Sequence, residues 1–555
     1  MVLGLLAVAL VTLLWRAVDQ QILEGDFLRR EGVARHVRVV EIPAYRGRIT
    51  DRQGEPLAIS SPVVSVWANP RQLLPERSDL RPLAKLLELD PRQLRRKLER
   101  RSGRRFVYLK RHLTPDLGRR VEALGIPGVG LQQEYRRYYP SGEVAAHLVG
   151  FTNIDERGQE GLEMAYEDWL RGRPGSKRVI KDGRNRVVKD LESVSQPRPG
   201  RDLVLSIDRR LQYLAYRELK AAVLLHEAQA GIAVILDVTS GEILAMVNQP
   251  AYNPNGQRDN QRGRLRNRAL TDVFEPGSTM KPFTVAAALE AGVIAPETIV
   301  DTSPGLLRVG SQLVRDHHDL GSIDIATVLR KSSNVGASKI ALSLTSELLW
   351  SLYSRLGFGA TTGTTYPGEV AGQLPDFRGW SRFERCTLSF GYGLSVTALQ
   401  LAQAYAVLAA DGVKRPVSLL VRDETPPGRR VLRSDTAQRV RTMLETVVSA
   451  EGTARKAAVP GYRVAGKTGT ARKSIPGGYA KDRYQALFVG LAPASDPRLV
   501  MVVMIDEPSA GKFYGGDVAA PVFAAVMGGA LRLLNVAPDN LGQHQPRLAG
   551  GGAIR

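Results

Sequence analysis

The sequence predicts a multi-domain α+β protein: an antiparallel sheet flanked by helices, preceded by an extended N-terminal module and one membrane anchor helix. Three observations carry this. The chain has 555 residues, which at roughly 100–200 residues per domain is more than one folded unit. Apolar strand-like runs stand at both ends of the region after residue 200, with Ala-rich helical stretches between them, so strands and helices are grouped rather than alternating. The character of the chain changes at Ser195–Gly200 (SQPRPG), whose two prolines and glycine read as a linker.

Residues 1–18 are the expected anchor. Met1 to Trp15 carries no charge. A spanning helix needs about 20 apolar residues, and no basic segment precedes this one as in a signal peptide. The chain is therefore expected to begin inside its anchor, with Arg16–Gly32 as a polar continuation of the same helix. Residues 19–200 mix short apolar runs with turn signals and form the expected N-terminal module. Within it, Arg92 to Arg111 (RQLRRKLERRSGRRFVYLKR) reads as a solvated helix face followed by a strand.

Residues 201–537 are the expected second, larger domain. Strands are predicted at Leu203–Ile207, Gly231–Val238 and Glu242–Val247, the last two joined by a hairpin at Thr239-Ser240-Gly241. Helices are predicted at Ile207–Val223, Pro282–Ala291 and Ala398–Ala410. Strands at Tyr462–Ala465, Gln485–Leu491 and Leu499–Ile505 and a helix at Pro521–Leu534 close the domain. The tail Pro538–Arg555, with three consecutive glycines, reads as disordered.

Composition excludes several classes. With 43% hydrophobic residues the chain is not wholly disordered. The 77 Lys+Arg against 56 Asp+Glu leave +21, which suggests an anionic partner. That excess is spread over both halves, without zinc-finger spacing, an RNP-type aromatic box or a P-loop, so nucleic acid is not expected. The one cysteine, Cys386, allows no intrachain disulfide and reads as a small buried side chain. Asp316-His317-His318-Asp319 lacks the spacing of a zinc helix and reads as a loop near the active-site cleft. Asp506-Glu507 reads as a surface or loop pair. No metal site is expected.

The sharpest local signal is Phe274–Pro282 (FEPGSTMKP). Pro276-Gly277 marks a turn, which puts Ser278 in the first turn of a helix and Lys281 one turn on, on the same face. A serine hydroxyl is a weak nucleophile until a base removes its proton. Lysine, with a solution pKa of about 10.4, serves only if its ammonium is disfavoured, and a shift of about three units costs about 4 kcal/mol. Burial and a second cation supply such a shift. A second S-x-x-K, Ser509 to Lys512, includes Pro508-adjacent and Gly511 turn chemistry and reads as accidental. Ser278 is followed in order by Ser332-Ser333-Asn334 and by Lys467-Thr468-Gly469-Thr470, the latter after a predicted strand. Asn334 can hold a substrate carbonyl and orient Lys281. Ser332 can relay a proton between Lys281, Lys467 and a leaving amine, and Lys467 is the second cation. Gly469 permits close approach to a substrate backbone, and Thr468 and Thr470 offer hydroxyls to a terminal carboxylate. The N–H groups of Ser278 and Thr470 are the oxyanion-hole candidates.

Ser–Lys, S-x-N and K-T-G in this order are the pattern of penicillin-binding proteins and serine β-lactamases. The chain resembles a class B penicillin-binding protein, most closely the septal penicillin-binding protein 3 group. Glu41–Ala58 (EIPAYRGRITDRQGEPLA), Arg136–Asn153 (RRYYPSGEVAAHLVGFTN) and Gly158–Glu163 (GQEGLE) look like that family's N-terminal blocks, and Ser389–Ala409 like its segment between the second and third motifs, with Ala398 where Pro is usual. The resemblance implies a penicillin-binding transpeptidase fold behind a pedestal or dimerisation-type module. It also implies a D,D-transpeptidase in which Ser278 is acylated by the D-Ala–D-Ala end of a peptidoglycan stem peptide, or by a β-lactam, and passes the acyl group to a neighbouring amine. No metal or organic cofactor is required. The implied setting is the cytoplasmic (inner) membrane at the division septum, single-pass, with the catalytic domain periplasmic and divisome membrane proteins as partners, a septal glycosyltransferase among them. Family analogy further places Arg472 near the substrate carboxylate and a wall at Phe513-Tyr514. The alternatives are an elongation-specific transpeptidase, a β-lactamase-like or lactam-sensing protein, and a non-enzymatic division scaffold. No E-x-x-L-N segment, which a class A lactamase needs, occurs between Asn334 and Lys467.

Overall fold

The computed structural model describes residues 2–18, 37–75, 78–181, 187–256 and 262–540. Val2–Val18 is a helix in which Val2, Leu5, Leu6, Val11, Leu14 and Trp15 among others stand exposed. Among the described residues no helix is long and apolar enough to cross a membrane. The expected polar continuation of this helix falls mainly in 19–36, outside the described residues, as does 541–555 of the expected tail. Pro538–Asn540 does not fit the expectation of a free tail: Asp539 accepts from the Arg463 amide at 2.7 Å and from the Ser495 hydroxyl at 2.7 Å, which fastens it to the domain.

In the N-terminal module the long strand Pro56–Ala68 pairs antiparallel with Ile49–Thr50, Val107–Leu113 and Val129–Tyr138. Short helices pack on this sheet through Val66, Leu73, Leu83, Leu94, Leu98 and Val121. Two of them begin with proline after a capping side chain: Asp90 accepts from the Gln93 amide and Thr114 from the Leu117 amide. The basic stretch forms the helix Pro91–Glu99 and the strand Val107–Leu113, as its sequence predicts.

A buried ion cluster ties the three N-terminal family blocks together. Glu163 receives Arg46 Nε and Arg137 Nε, each at 2.6 Å, with all three side chains at most 2% exposed. Arg46 also reaches Glu167 at 2.7 Å. A carboxylate this deep is tolerable only because both oxygens meet guanidinium donors.

The expected strand at Leu203–Ile207 is only Leu203–Val204, and it pairs in parallel with Ile49–Thr50. It completes the sheet of the N-terminal module. The catalytic sheet is built from β1 (Ala230–Asp237), β2 (Ile243–Gln249), β3 (Ala465–Ile475), β4 (Gly478–Ala492) and β5 (Leu499–Asp506), in the order β2-β1-β5-β4-β3, all antiparallel. β2 and β5 are buried at every position, which their near-continuous apolar sequences require. Helices α1 (Arg209–Leu225) and α6 (Ala520–Leu533) form one covering layer. Helices α2 (Lys281–Glu290), α4 (Ala398–Ala409) and α5 (Ser434–Val448) form the other, with α3 (Asn334–Leu342) packed beside α2. Thr397 and Gln400 start α4 with a reciprocal capping box, so Ala398 in place of proline leaves the helix start intact.

The strand expected at Tyr462–Ala465 instead runs Ala465–Ile475, so Lys467-Thr468-Gly469-Thr470 lies inside β3 and not after a strand. Polar residues on this sheet edge hid the strand from its hydrophobic pattern. β4 likewise extends seven residues before the expected Gln485, along a polar, mostly exposed hairpin.

Candidate active site

Gly277–Met280 forms a single 3-10 turn and α2 begins at Lys281, so Ser278 sits one tight turn ahead of the α-helix. The Thr279 hydroxyl donates to the Pro276 carbonyl at 2.7 Å and closes this turn. The turn is braced by the segment Ser389–Val396. Phe274 and Val396 exchange backbone bonds at 3.0 and 2.9 Å, and the Gly277 amide donates to the Gly391 carbonyl at 3.1 Å. Gly391 has φ +88°, and a Cβ there would lie 2.1 Å from the Gly277 oxygen, so only glycine lets the two segments touch. From below, Tyr405 of α4 donates to the Thr279 carbonyl at 2.8 Å. Ser278 is partly exposed, and its hydroxyl makes no hydrogen bond to a described residue.

Lys281 and Lys467 are both fully buried. Lys281 Nζ lies 2.5 Å from the Ser332 carbonyl, 2.8 Å from Asn334 Oδ1 and 3.1 Å from Ser332 Oγ. Lys467 Nζ lies 2.9 Å from the same Ser332 Oγ. Burial, and then repulsion from Lys467, hold the Lys281 ammonium well below its ordinary pKa, with Asp316 opposing the shift. Burial lowers Lys467 to about 7. A neutral Lys281 amine has two N–H groups and one lone pair. The Ser332 carbonyl and Asn334 Oδ1 take the two hydrogens, which leaves the lone pair to accept a hydroxyl proton. Lys467 then donates to Ser332 Oγ, whose own hydrogen is free for Lys281. The three groups form a proton path.

Ser332 takes the left-handed conformation, φ +60°, which is uncommon for a non-glycine residue. This turn presents both its carbonyl and its hydroxyl to Lys281. It is held by a residue whose role the sequence does not reveal, Asp316. One oxygen of Asp316 accepts from the Ser333 hydroxyl at 2.5 Å, and the other from the Asn334 and Val335 amides at 2.5 and 3.0 Å. Ser333 in turn caps α3 by accepting from the Gly336 amide at 2.8 Å. Asp316 thus binds the start of α3 and fixes Asn334. Its neighbour His317 stands in the cleft wall, 6.4 Å from the Tyr514 ring.

β3 is the edge strand, and its open side borders the cleft. A Cβ on Gly469 would lie 3.0 Å from both the Pro276 oxygen and Thr279 Cγ2. Gly469 therefore lets the strand close on the turn that carries Ser278, a different reason from the substrate contact expected of it. Thr470 Oγ1 accepts from the Gly515 amide at 3.1 Å, and the hydroxyls of Thr468 and Thr453 meet at 3.1 Å. Arg472 is exposed, with its amide 3.4 Å from the Tyr392 hydroxyl and no ion pair among the described residues.

Together these elements surround a cleft of about 660 Å³ lined by Ser278, Ser332, Asn334, Thr468, Thr470 and Arg472. Lys281 and Lys467 lie beneath its floor and Gly469 behind its wall. Phe513 and Tyr514 line it as expected, but the aromatic wall is larger. Tyr484 stacks on Phe513 at 4.2 Å, and Tyr392 adds a further ring to the lining. The second S-x-x-K pair lies outside any helix, and Ser509 merely donates to the Glu227 carbonyl. Asp506 and Glu507 share the Lys473 ammonium, at 2.7 and 2.6 Å. Cys386 is buried, and burial pushes its thiol pKa up.

A serine at a helix start, a buried lysine one turn on, and a lysine-threonine-glycine edge strand facing them define a serine acyl-transfer site of the penicillin-binding type. Residues 231–528 match the penicillin binding protein transpeptidase domain family, and residues 41–205 match the penicillin-binding protein dimerisation domain family. The chain belongs to the penicillin-binding proteins that join these two domains. It is 44% identical to the peptidoglycan D,D-transpeptidase FtsI of Escherichia coli K12 over 543 residues, covering 97% of this chain and 92% of that protein. It is 38% identical to the protein of the same name from Buchnera aphidicola over 538 residues, covering 96% and 94%. The solved transpeptidase domain of Burkholderia pseudomallei penicillin-binding protein 3 superposes with a TM-score of 0.56 at 46% identity, covering 60% of this chain and 97% of that one.

Proposed function

We propose that this chain is a serine D,D-transpeptidase that cross-links peptidoglycan stem peptides at the division septum. The observation that carries the chemistry is the buried pair Lys281 and Lys467 converging on Ser332 Oγ. Neutral Lys281 takes the proton of Ser278 as its Oγ attacks the carbonyl of the D-Ala–D-Ala bond. The N–H groups of Ser278 and Thr470 receive the oxyanion. The proton returns through Ser332 to the departing D-Ala amine, leaving an acyl-enzyme. An amine of a neighbouring stem peptide then attacks, gives its proton to the same path and restores Ser278. Thr468, Thr470 and Arg472 receive the terminal carboxylate, and Asn334 holds a peptide amide of the donor. β-Lactams acylate the same serine. Residues 1–18 would anchor the chain in the cytoplasmic membrane, residues 19–200 form the pedestal facing divisome partners, and 201–537 the catalytic domain. The uncharged run Met1–Trp15 supports the anchor. Incubating the protein with a D-Ala–D-Ala stem pentapeptide and an amine acceptor should release D-Ala in step with cross-linked product. Product formation by the Ser278→Ala variant at the wild-type rate would overturn the assignment.

A further inference from the structure

The site described leaves one strongly charged surface unused. Between Arg92 and Arg105 seven arginines and Lys97 face a single carboxylate, Glu99. Glu99 is already taken by Arg95 at 3.2 Å. Arg92, Arg96, Arg100, Arg101, Arg104 and Arg105 are exposed and have no ion pair among the described residues. Arg92, Arg96 and Arg100 stack at i, i+4 along the helix Pro91–Glu99 and its cap, and Lys97 and Arg101 repeat the spacing. Like charges so placed destabilise a helix. A helix C-terminus welcomes a cation or two, but not this many. Arg71 joins the patch by donating to the Gly103 carbonyl at 2.8 Å.

An aromatic surface continues directly from these arginines. Phe106 is 42% exposed, stacks on Trp67 with 5.0 Å between centroids, and meets Tyr108 edge-on at 4.8 Å. Guanidinium groups bind carboxylates in a forked geometry. An exposed ring offers a flat apolar face to the C–H bonds of a sugar. We propose that this arginine–aromatic face of the N-terminal module binds peptidoglycan strands, with the arginines on peptide carboxylates and Phe106 against the glycan. The proposal rests on the transpeptidase reading, since the polymer is that enzyme's substrate. A second hold on the same polymer raises the effective concentration of stem peptides at the cleft.

The test is co-sedimentation of the full chain, in detergent, with purified peptidoglycan sacculi, with and without prior penicillin treatment to block the cleft. Wild-type protein should pellet with blocked or open cleft, and less so as salt rises, because exposed charges are screened within about 8 Å at physiological ionic strength. The combined variant Arg96→Gln, Arg100→Gln, Arg101→Gln, Arg104→Gln should bind about tenfold more weakly, about 1.4 kcal/mol over four contacts, and Phe106→Ser severalfold more weakly. Both should keep wild-type penicillin labelling, which also reports that they are folded. Unchanged pelleting of the arginine variant overturns the proposal. So does a wild-type protein that ignores sacculi but binds vesicles of anionic phospholipid. Loss of penicillin labelling in the wild type, with pelleting intact, would overturn the catalytic reading and leave the surface standing.

Discussion

Replacing Lys467 by methionine removes one charge beside the proposed base while filling similar volume. Lys281 and Lys467 nitrogens lie 3.1 and 2.9 Å from one Ser332 oxygen, so they are at most about 6 Å apart; at an effective dielectric of about 20 such charges repel by about 3 kcal/mol. That repulsion adds to the larger effect of burial in holding the Lys281 ammonium well below its ordinary pKa. The base acts when neutral, so the acid limb of the acylation-rate profile reports loss of the Lys281 proton. Without Lys467 the ammonium is less disfavoured, the Lys281 pKa rises, and the limb moves to higher pH. The assay is stopped-flow acylation by a chromogenic cephalosporin between pH 5 and 10, with acylation confirmed by mass spectrometry. The plateau should fall as well, because Ser332 loses its donor. A limb that stays in place, or moves to lower pH, would refute the electrostatic role of Lys467.

Asp316→Asn should lower the acylation plateau by ten- to a hundredfold, as the three bonds that seat Ser333, Asn334 and Val335 are lost or weakened. Since Asp316 raises the Lys281 pKa, the acid limb should move to lower pH, opposite to Lys467→Met, and stopped-flow profiles distinguish the two. Gly469→Ala should reduce acylation at least tenfold by pushing the Ser278 turn away from β3, with little change in melting temperature beyond a few degrees. Glu163→Gln should destabilise the N-terminal module by about 3–5 kcal/mol, since it strands two buried guanidinium groups. Differential scanning calorimetry should show that loss while penicillin labelling at low temperature persists.

What the sequence makes legible is local. The S-x-x-K turn, the hairpin at Thr239–Gly241 and the apolar strands β1, β2 and β5 each carry their signal within a few residues, through turn chemistry or unbroken hydrophobicity. β3 does not, because an edge strand facing a polar cleft has Lys467, Thr468 and Thr470 where a buried strand has apolar side chains. Asp316 is invisible for a different reason. Its partners stand 17 to 19 residues away, and a loop carboxylate beside two histidines suggests metal or solvent before it suggests a helix cap. The Glu163 cluster likewise joins residues 26 and 117 positions apart, and only folding brings them into contact. Leu203–Val204 crosses the linker to complete a sheet that begins at Ile49, which no periodicity signals.

The proposed mechanism turns on Ser278 as the acylated nucleophile. Labelling the full chain with a fluorescent penicillin, followed by proteolysis and mass spectrometry, tests it directly. One adduct is expected, on the peptide containing Ser278, long-lived on the time scale of hours and absent in Ser278→Ala. An adduct on another residue, or equal labelling of the alanine variant, would contradict it.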